Sequence, residues 1–113
     1  MISKLSLYEL YEIKKKKDNK INDAFNIILN ACHKKIKTIA ESGGQSLYYP
    51  IPPIIIGYPL YNYSNCMKYI INELNNSGLH VSILPEPNNN YIYISWKIED
   101  VSNQAIKKRL LLH

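Results

Sequence analysis

Residues 79–96 constrain the fold more than any other part of the chain. The segments "LHVSIL" and "YIYISW" both alternate apolar with polar or aromatic side chains, and the turn-forming "PEPNNN" separates them. A strand places every second side chain on the same face. We therefore predict an antiparallel hairpin that pairs residues 79–84 with residues 91–96.

The second strand of this hairpin should have one core face and one half-exposed face. Ile92, Ile94 and Trp96 share the apolar face and are predicted to close a core. Tyr91 and Tyr93 fall on the other face, where a phenol can keep its hydroxyl in water. We assign Trp96 to the core, and we therefore expect Trp96→Ala to cost about 3–5 kcal/mol.

Two main helices are predicted before the hairpin. Residues 22–42 carry apolar side chains every three or four positions, and Gly43-Gly44 follows as a helix end. Residues 64–76 form a shorter amphipathic helix. Between them, residues 46–51 are predicted to be a strand at a sheet edge, because proline cannot donate to a sheet ladder. The fold class is α+β, with two main helices on a small, mostly antiparallel sheet that ends in a β-hairpin.

Three segments describe the predicted organisation of the chain. Residues 1–20 comprise a short helix, 3–13, with Ser6 and Glu9 as a capping box, and a basic linker or arm, 14–20. Residues 21–96 form the α+β core domain. Residues 97–113 form a C-terminal helical tail.

The positive charge of the chain lies at its two ends. The net charge is +5. Residues 1–42 contain nine lysines against five acidic residues, whereas residues 43–96 contain one lysine and two acidic residues. Basic ends are compatible with an anionic partner such as nucleic acid or a lipid head group, and equally with solubility alone.

Nucleic-acid binding is one of two functions left open by the sequence. The order helix, helix, hairpin is similar to that of a winged-helix module. The candidate phosphate contacts are Lys14, Lys15, Lys16, Lys17, Lys34, Lys35 and Lys37. Two observations oppose this function. The "PEPNNN" turn contains an acidic residue and no cation, and Lys68 is the only basic residue of helix 64–76.

Protein–protein interaction is the other function, and the one that we favour. Tyrosine is enriched at interfaces because it combines an apolar ring with a polar hydroxyl. The candidate interface residues are Tyr58, Tyr61, Tyr91 and Tyr93. The partner would be another protein or a second copy of this chain. The alternative is that these tyrosines are simply half-buried residues at the edge of a small domain.

Catalytic and metal-binding patterns are missing from the sequence. The acidic residues are dispersed, and none of the three histidines has metal-ligand spacing to Cys32 or Cys66. We expect a protein that is not an enzyme and needs no cofactor. Both cysteines fall on apolar helix faces, which predicts buried free thiols and a reducing compartment. No apolar segment has the length of a membrane span.

One family resemblance covers residues 32–96. The segment has a basic helix, a short strand, "GYPLY" before a helix, "NELNNSGLHV" and finally "YIYISW". In this order it resembles a small family of uncharacterised proteins from nucleocytoplasmic large DNA viruses. The resemblance implies a viral origin, in the host cytoplasm, the virus factory or the virion, and it assigns no site residues. It favours a minor virion-associated or virus-factory interaction protein.

Overall fold

Two helices and three strands make up the described part of the fold. The structure is a computed structural model that describes residues 6–101. In chain order the elements are α1 (Leu7–Glu41), β1 (Ser46–Pro50), α2 (Tyr63–Asn76), β2 (His80–Ile83) and β3 (Tyr91–Ser95). The predicted α+β class is confirmed, and so is the hairpin, which β2 and β3 form.

The sheet is antiparallel, and its strand order is β1-β3-β2. Leu47 of β1 and Val81 of β2 both lie opposite Ile94 of β3. β1 is therefore an edge strand, as its proline predicted, and Pro50 is its last residue. β3 lies in the centre of the sheet, and its isoleucine and tyrosine residues are types that favour strands.

Both helices pack on one face of the sheet and bury it. Ile92 and Ile94 are fully buried there against Ile28 of α1 and Ile70 of α2. The prediction for these two isoleucines is confirmed. The prediction for Trp96 was wrong in degree: its side chain is half-buried and packs against the rim of the core, since β3 already ends at Ser95.

α1 is a single helix of 35 residues, about 52 Å long at 1.5 Å per residue. The predicted helix 3–13 is confirmed over residues 7–13, whereas the predicted linker 14–20 was wrong, because residues 14–20 continue the same helix. Residues 3–5 lie outside the described residues. The Ser6 hydroxyl caps α1 by accepting a hydrogen bond from the Glu9 N–H at 3.1 Å. Residues 7–20, which we call the arm, are almost entirely exposed, and packing against the core begins at Ile21.

Two further predictions concern the chain order and the tail. A helix-turn-helix pair needs two helices joined by a short turn. α1 and α2 are instead separated by β1 and by residues 51–62, which contain no helix. The likeness to a winged-helix module therefore does not extend to a helix-turn-helix unit. Most of the predicted helical tail, 97–113, lies outside the described residues.

Candidate interaction surfaces

The face of the sheet that points away from the helices, which we call the outer face, is rich in tyrosine. Strand alternation places Tyr48, Tyr91 and Tyr93 on it, together with His80 of β2. Tyr48 is 62% exposed and Tyr91 is 36% exposed. The ring centroids of Tyr48 and Tyr93 are 5.3 Å apart, and the His80 ring lies 6.1 Å from Tyr93 in an edge-on geometry. These rings form an aromatic cluster across all three strands.

Asp100 closes one end of the outer face. Its Oδ2 accepts hydrogen bonds from the Ser95 hydroxyl at 2.7 Å and from the Tyr93 hydroxyl at 3.0 Å. These two bonds, that of Ser95 first, lower the pKa of Asp100 below its usual value, and the charge of Lys97 acts in the same direction. The turn after β3 thereby covers Ser95, which is fully buried.

Two open depressions flank Tyr48. One has a volume of about 350 Å³ and is lined by Ser46, Ser82, Leu84, Pro85, Tyr93 and Lys97, among others. The other, of about 370 Å³, lies between Tyr48, Leu84, Asn88 and Tyr91. Both combine apolar surface with hydroxyl or amide groups. Such surfaces suit a side chain that is mostly apolar and carries one polar atom.

The four tyrosines predicted as an interface do not share one surface. Tyr91 and Tyr93 lie on the outer face, whereas Tyr61 lies on the opposite, helix-covered side, where its ring packs edge-on against Phe25 at 5.3 Å. The Tyr61 hydroxyl donates to the Pro52 carbonyl, and burial raises the pKa of Tyr61 to about 12. Tyr58 is half-buried in the segment between β1 and α2.

Tyr48 is the outer-face residue that the sequence prediction missed. The signal was present, since β1 was predicted as a strand and Tyr48 follows an apolar residue in it. Its importance comes from its position opposite Tyr93, and that register follows from the pairing of β1 with β3. This pairing joins residues that are far apart in the chain.

The candidate phosphate-binding lysines form two separate groups on α1. Lys14 to Lys17 belong to the exposed arm, and Lys34, Lys35 and Lys37 are exposed near the end of the helix. The two groups are about 30 Å apart along the axis. Lys14 forms an ion pair with Asp18 at 3.1 Å. Acidic residues also lie among the lysines of α1, namely Glu9, Glu12, Asp23 and Glu41.

The thiols and the other metal-ligand side chains offer no reactive site among the described residues. Cys32 and Cys66 are buried and free, as predicted, and burial raises the pKa of their thiols to about 12 and about 11. Among residues 6–101 no group of three or more His, Cys, Asp or Glu side chains could hold a metal ion. Neither helix in this range is long and apolar enough to cross a membrane.

Comparison with known proteins gives one family and one relative. Residues 5–75, more than half of the chain, match the family described as Family of unknown function (DUF5759). The chain is 29% identical over 93 residues to "Uncharacterized protein R447" of Acanthamoeba polyphaga mimivirus. That alignment covers 76% of this chain and 73% of the relative. No solved structure matches the chain significantly.

Proposed function

The chain belongs to the family of unknown function DUF5759, and on this premise we propose that it is a non-catalytic protein-interaction module of a large DNA virus. The outer face binds a partner protein. One observation carries this function above the others: Tyr48 of β1 and Tyr91 of β3 lie exposed on the outer face of the sheet, beside two depressions. Tyrosine gives much contact area for little loss of side-chain entropy, which is the property that interfaces select.

The charge of the outer face favours a protein over a nucleic acid. Among residues 6–101, its formally charged side chains are Lys97 and Asp100, which offset each other. Phosphate contacts are made mainly by Lys and Arg, and a nucleic-acid site would need several of them around the aromatic rings. A near-neutral aromatic surface is instead complementary to a mixed polar and apolar protein surface.

The size of the outer face favours a short segment of the partner. Strands are spaced about 4.8 Å apart and rise about 3.3 Å per residue, so the face measures roughly 15 by 17 Å. The corresponding area, about 250 Å², is well below the ~800 Å² per partner of a standard interface. A peptide segment that places an apolar side chain beside Tyr48 fits these dimensions and the two depressions.

The polar cluster on the outer face supports binding better than catalysis. A serine hydrolase needs a histidine between an accessible serine and an acid. Here the Ser95 hydroxyl donates directly to Asp100, and Ser95 is fully buried. The hydroxyl is therefore neither activated by His80 nor accessible to a substrate.

The site of action follows from the proposed role. A virus-encoded interaction module would act in the virus factory or as a minor component of the virion. The raised pKa of both buried thiols is compatible with a protein that keeps them reduced.

Matched tyrosine substitutions test the proposed interaction. Tagged wild-type chain, Tyr48→Ser, Tyr91→Ser and the control Tyr11→Ser would be expressed in infected cells, and copurified proteins quantified by mass spectrometry. Tyr11 is an equally exposed tyrosine on the arm. We expect a specific viral protein whose recovery falls at least tenfold with the two outer-face variants and is unchanged with Tyr11→Ser. Equal recovery from all four chains would refute the interface.

A further inference from the structure

The segment between β1 and α2 exposes apolar side chains at the tip of a fixed loop. Ile56 is 95% exposed and Leu60 is 76% exposed. The loop is anchored at its base, because the Tyr61 and Tyr63 hydroxyls donate to the carbonyls of Pro52 and Ile51. Its exposed apolar tip is therefore held away from the core by its own hydrogen bonds.

The tip itself is a tight turn. The Tyr58 N–H donates to the Ile55 carbonyl at 3.1 Å, and Gly57 adopts a φ of 91°, which glycine accommodates without strain. Ile56 is the second residue of this turn, and its side chain lies almost fully in solvent. Exposed apolar tips of this kind commonly mark a binding surface.

Lysines of the arm lie directly beside the loop. Lys16, Lys17 and Lys20 line, with Ile13 and Pro59, a depression of about 260 Å³. All three lysines are exposed. Leu60 lines a second depression together with Lys17. The apolar loop and three positive charges therefore lie at the same end of the molecule.

We propose that this end of the molecule, the apolar loop with Lys16, Lys17 and Lys20, binds the surface of an anionic membrane. Ile56 and Leu60 enter the interfacial region, and the lysine ammonium groups pair with negatively charged head groups. Apolar insertion and electrostatic attraction reinforce each other, since neither a small loop nor three lysines alone hold a protein at a bilayer. The surface is distinct from the outer face, so the two can be occupied independently.

The chemistry of the loop favours a lipid surface over nucleic acid. Phosphate groups of nucleic acid would use the lysines but would leave Ile56 in water. Stacking on bases requires aromatic side chains, whereas the most exposed residues of the loop are aliphatic. A bilayer surface satisfies both parts of this end at once.

Vesicle cosedimentation of the full chain tests the membrane surface. The probes are vesicles of phosphatidylcholine alone and of phosphatidylcholine with 30% phosphatidylserine, a composition chosen to give roughly the surface charge of an anionic leaflet. We expect at least tenfold tighter binding to the anionic vesicles, weakened by added salt. Ile56→Ser should reduce this binding severalfold. Ile98→Ser is the control, at an isoleucine outside the loop that is 47% exposed.

Charge variants separate a local site from general attraction. Replacing Lys16, Lys17 and Lys20 by Gln should weaken binding roughly 100-fold, at about fivefold per lysine near the surface. The control replaces Lys34, Lys35 and Lys37 by Gln, which removes the same charge from the far end of α1. Its binding should change much less. Circular dichroism is the control that shows whether each variant is folded.

Three outcomes would overturn the inference. The first is no binding to anionic vesicles, and the second is an equal loss with both lysine variants, which would indicate attraction to net charge alone. The third is salt-dependent binding to nucleic acid that needs Lys16, Lys17 and Lys20 while Ile56→Ser has no effect on vesicle binding.

Vesicle binding that survives Tyr48→Ser would show that this surface is independent of the outer face.

Discussion

Asp100 connects the outer face to the turn that follows β3. Two hydroxyl donors, Ser95 and Tyr93, stabilise its ionised form. The pKa of Asp100 is lower in the folded chain than the ordinary aspartate value of about 3.9. The ionised carboxylate therefore stabilises the fold at pH values above about 3.9. This contribution is lost as the pH falls from that value through the lowered pKa of the folded state.

We predict that Asp100→Asn is less stable than the wild-type chain at pH 7. The difference in unfolding free energy should stay constant down to about pH 4 and shrink at lower pH, because the wild-type carboxylate is then protonated. Urea denaturation of both chains between pH 2.5 and 7 measures it. A difference that is independent of pH over this range would contradict the stabilising role of the charge.

Trp96 and Ile94 illustrate how position within a strand decides the cost of a substitution. Ile94 is fully buried in the centre of the sheet, whereas Trp96 is half-buried beyond the last residue of β3. We expect Ile94→Ala to cost about 4 kcal/mol and Trp96→Ala about 2 kcal/mol, below the range for a fully buried aromatic. Denaturant unfolding of the two variants gives both values. The opposite order would place Trp96 in the core after all.

At the scale of elements, α1 has two halves that differ in support. The half that begins at Ile21 packs on the core, and the arm before it is held by its cap, its backbone ladder and the Lys14–Asp18 pair. A helix segment without tertiary packing is only marginally stable in water. The arm should therefore unfold without unfolding the core.

Proline substitutions at two exposed positions of α1 test this difference. Lys16→Pro should remove the helix signal of roughly 10 residues yet lower the melting temperature by under about 3 °C, because the arm melts alone. Ala31→Pro lies between packed residues of the same helix. It should lower the melting temperature by roughly 12 °C or more, from a cost of about 3 kcal/mol. Circular dichroism measures both; equal losses would mean that the arm is part of the core.

The sequence predicted elements better where the pattern is local. Alternation was enough for the β2–β3 hairpin. Asn62 caps α2, and its side chain accepts a hydrogen bond from the Asn65 N–H at 2.9 Å. The break at residues 14–20 was wrong because a lysine run resembles a solvated linker. Lysine is nevertheless a good helix former, and no glycine or proline interrupts residues 7–41.

At the scale of the whole molecule, the candidate surfaces depend on contacts between distant residues. The sequence predicted that β1 is an edge strand, but not that it pairs with β3 and brings Tyr48 to Tyr93. It also grouped Tyr61 with Tyr91, although the sheet separates them. Alternation within β1 shows which side chains share a face, but not which strand β1 pairs with, because that choice depends on the fit of the complete core.

The two proposed surfaces give the molecule two ends with different chemistry. The outer face is aromatic and near neutral, and the loop with the arm lysines is aliphatic and basic. An interaction module with both could hold a partner protein near an anionic membrane. Its interaction with the protein partner is the central claim and can be tested separately from the membrane.

Photo-crosslinking from position 48 tests that claim most directly. Tyr48 is replaced by benzoylphenylalanine, which keeps a para-substituted ring at an exposed site, and the same replacement of Tyr11 is the control. After irradiation of infected cells, we predict one discrete crosslinked viral protein from position 48 that is absent from position 11. No crosslink from position 48, or the same products from both positions, would contradict the account.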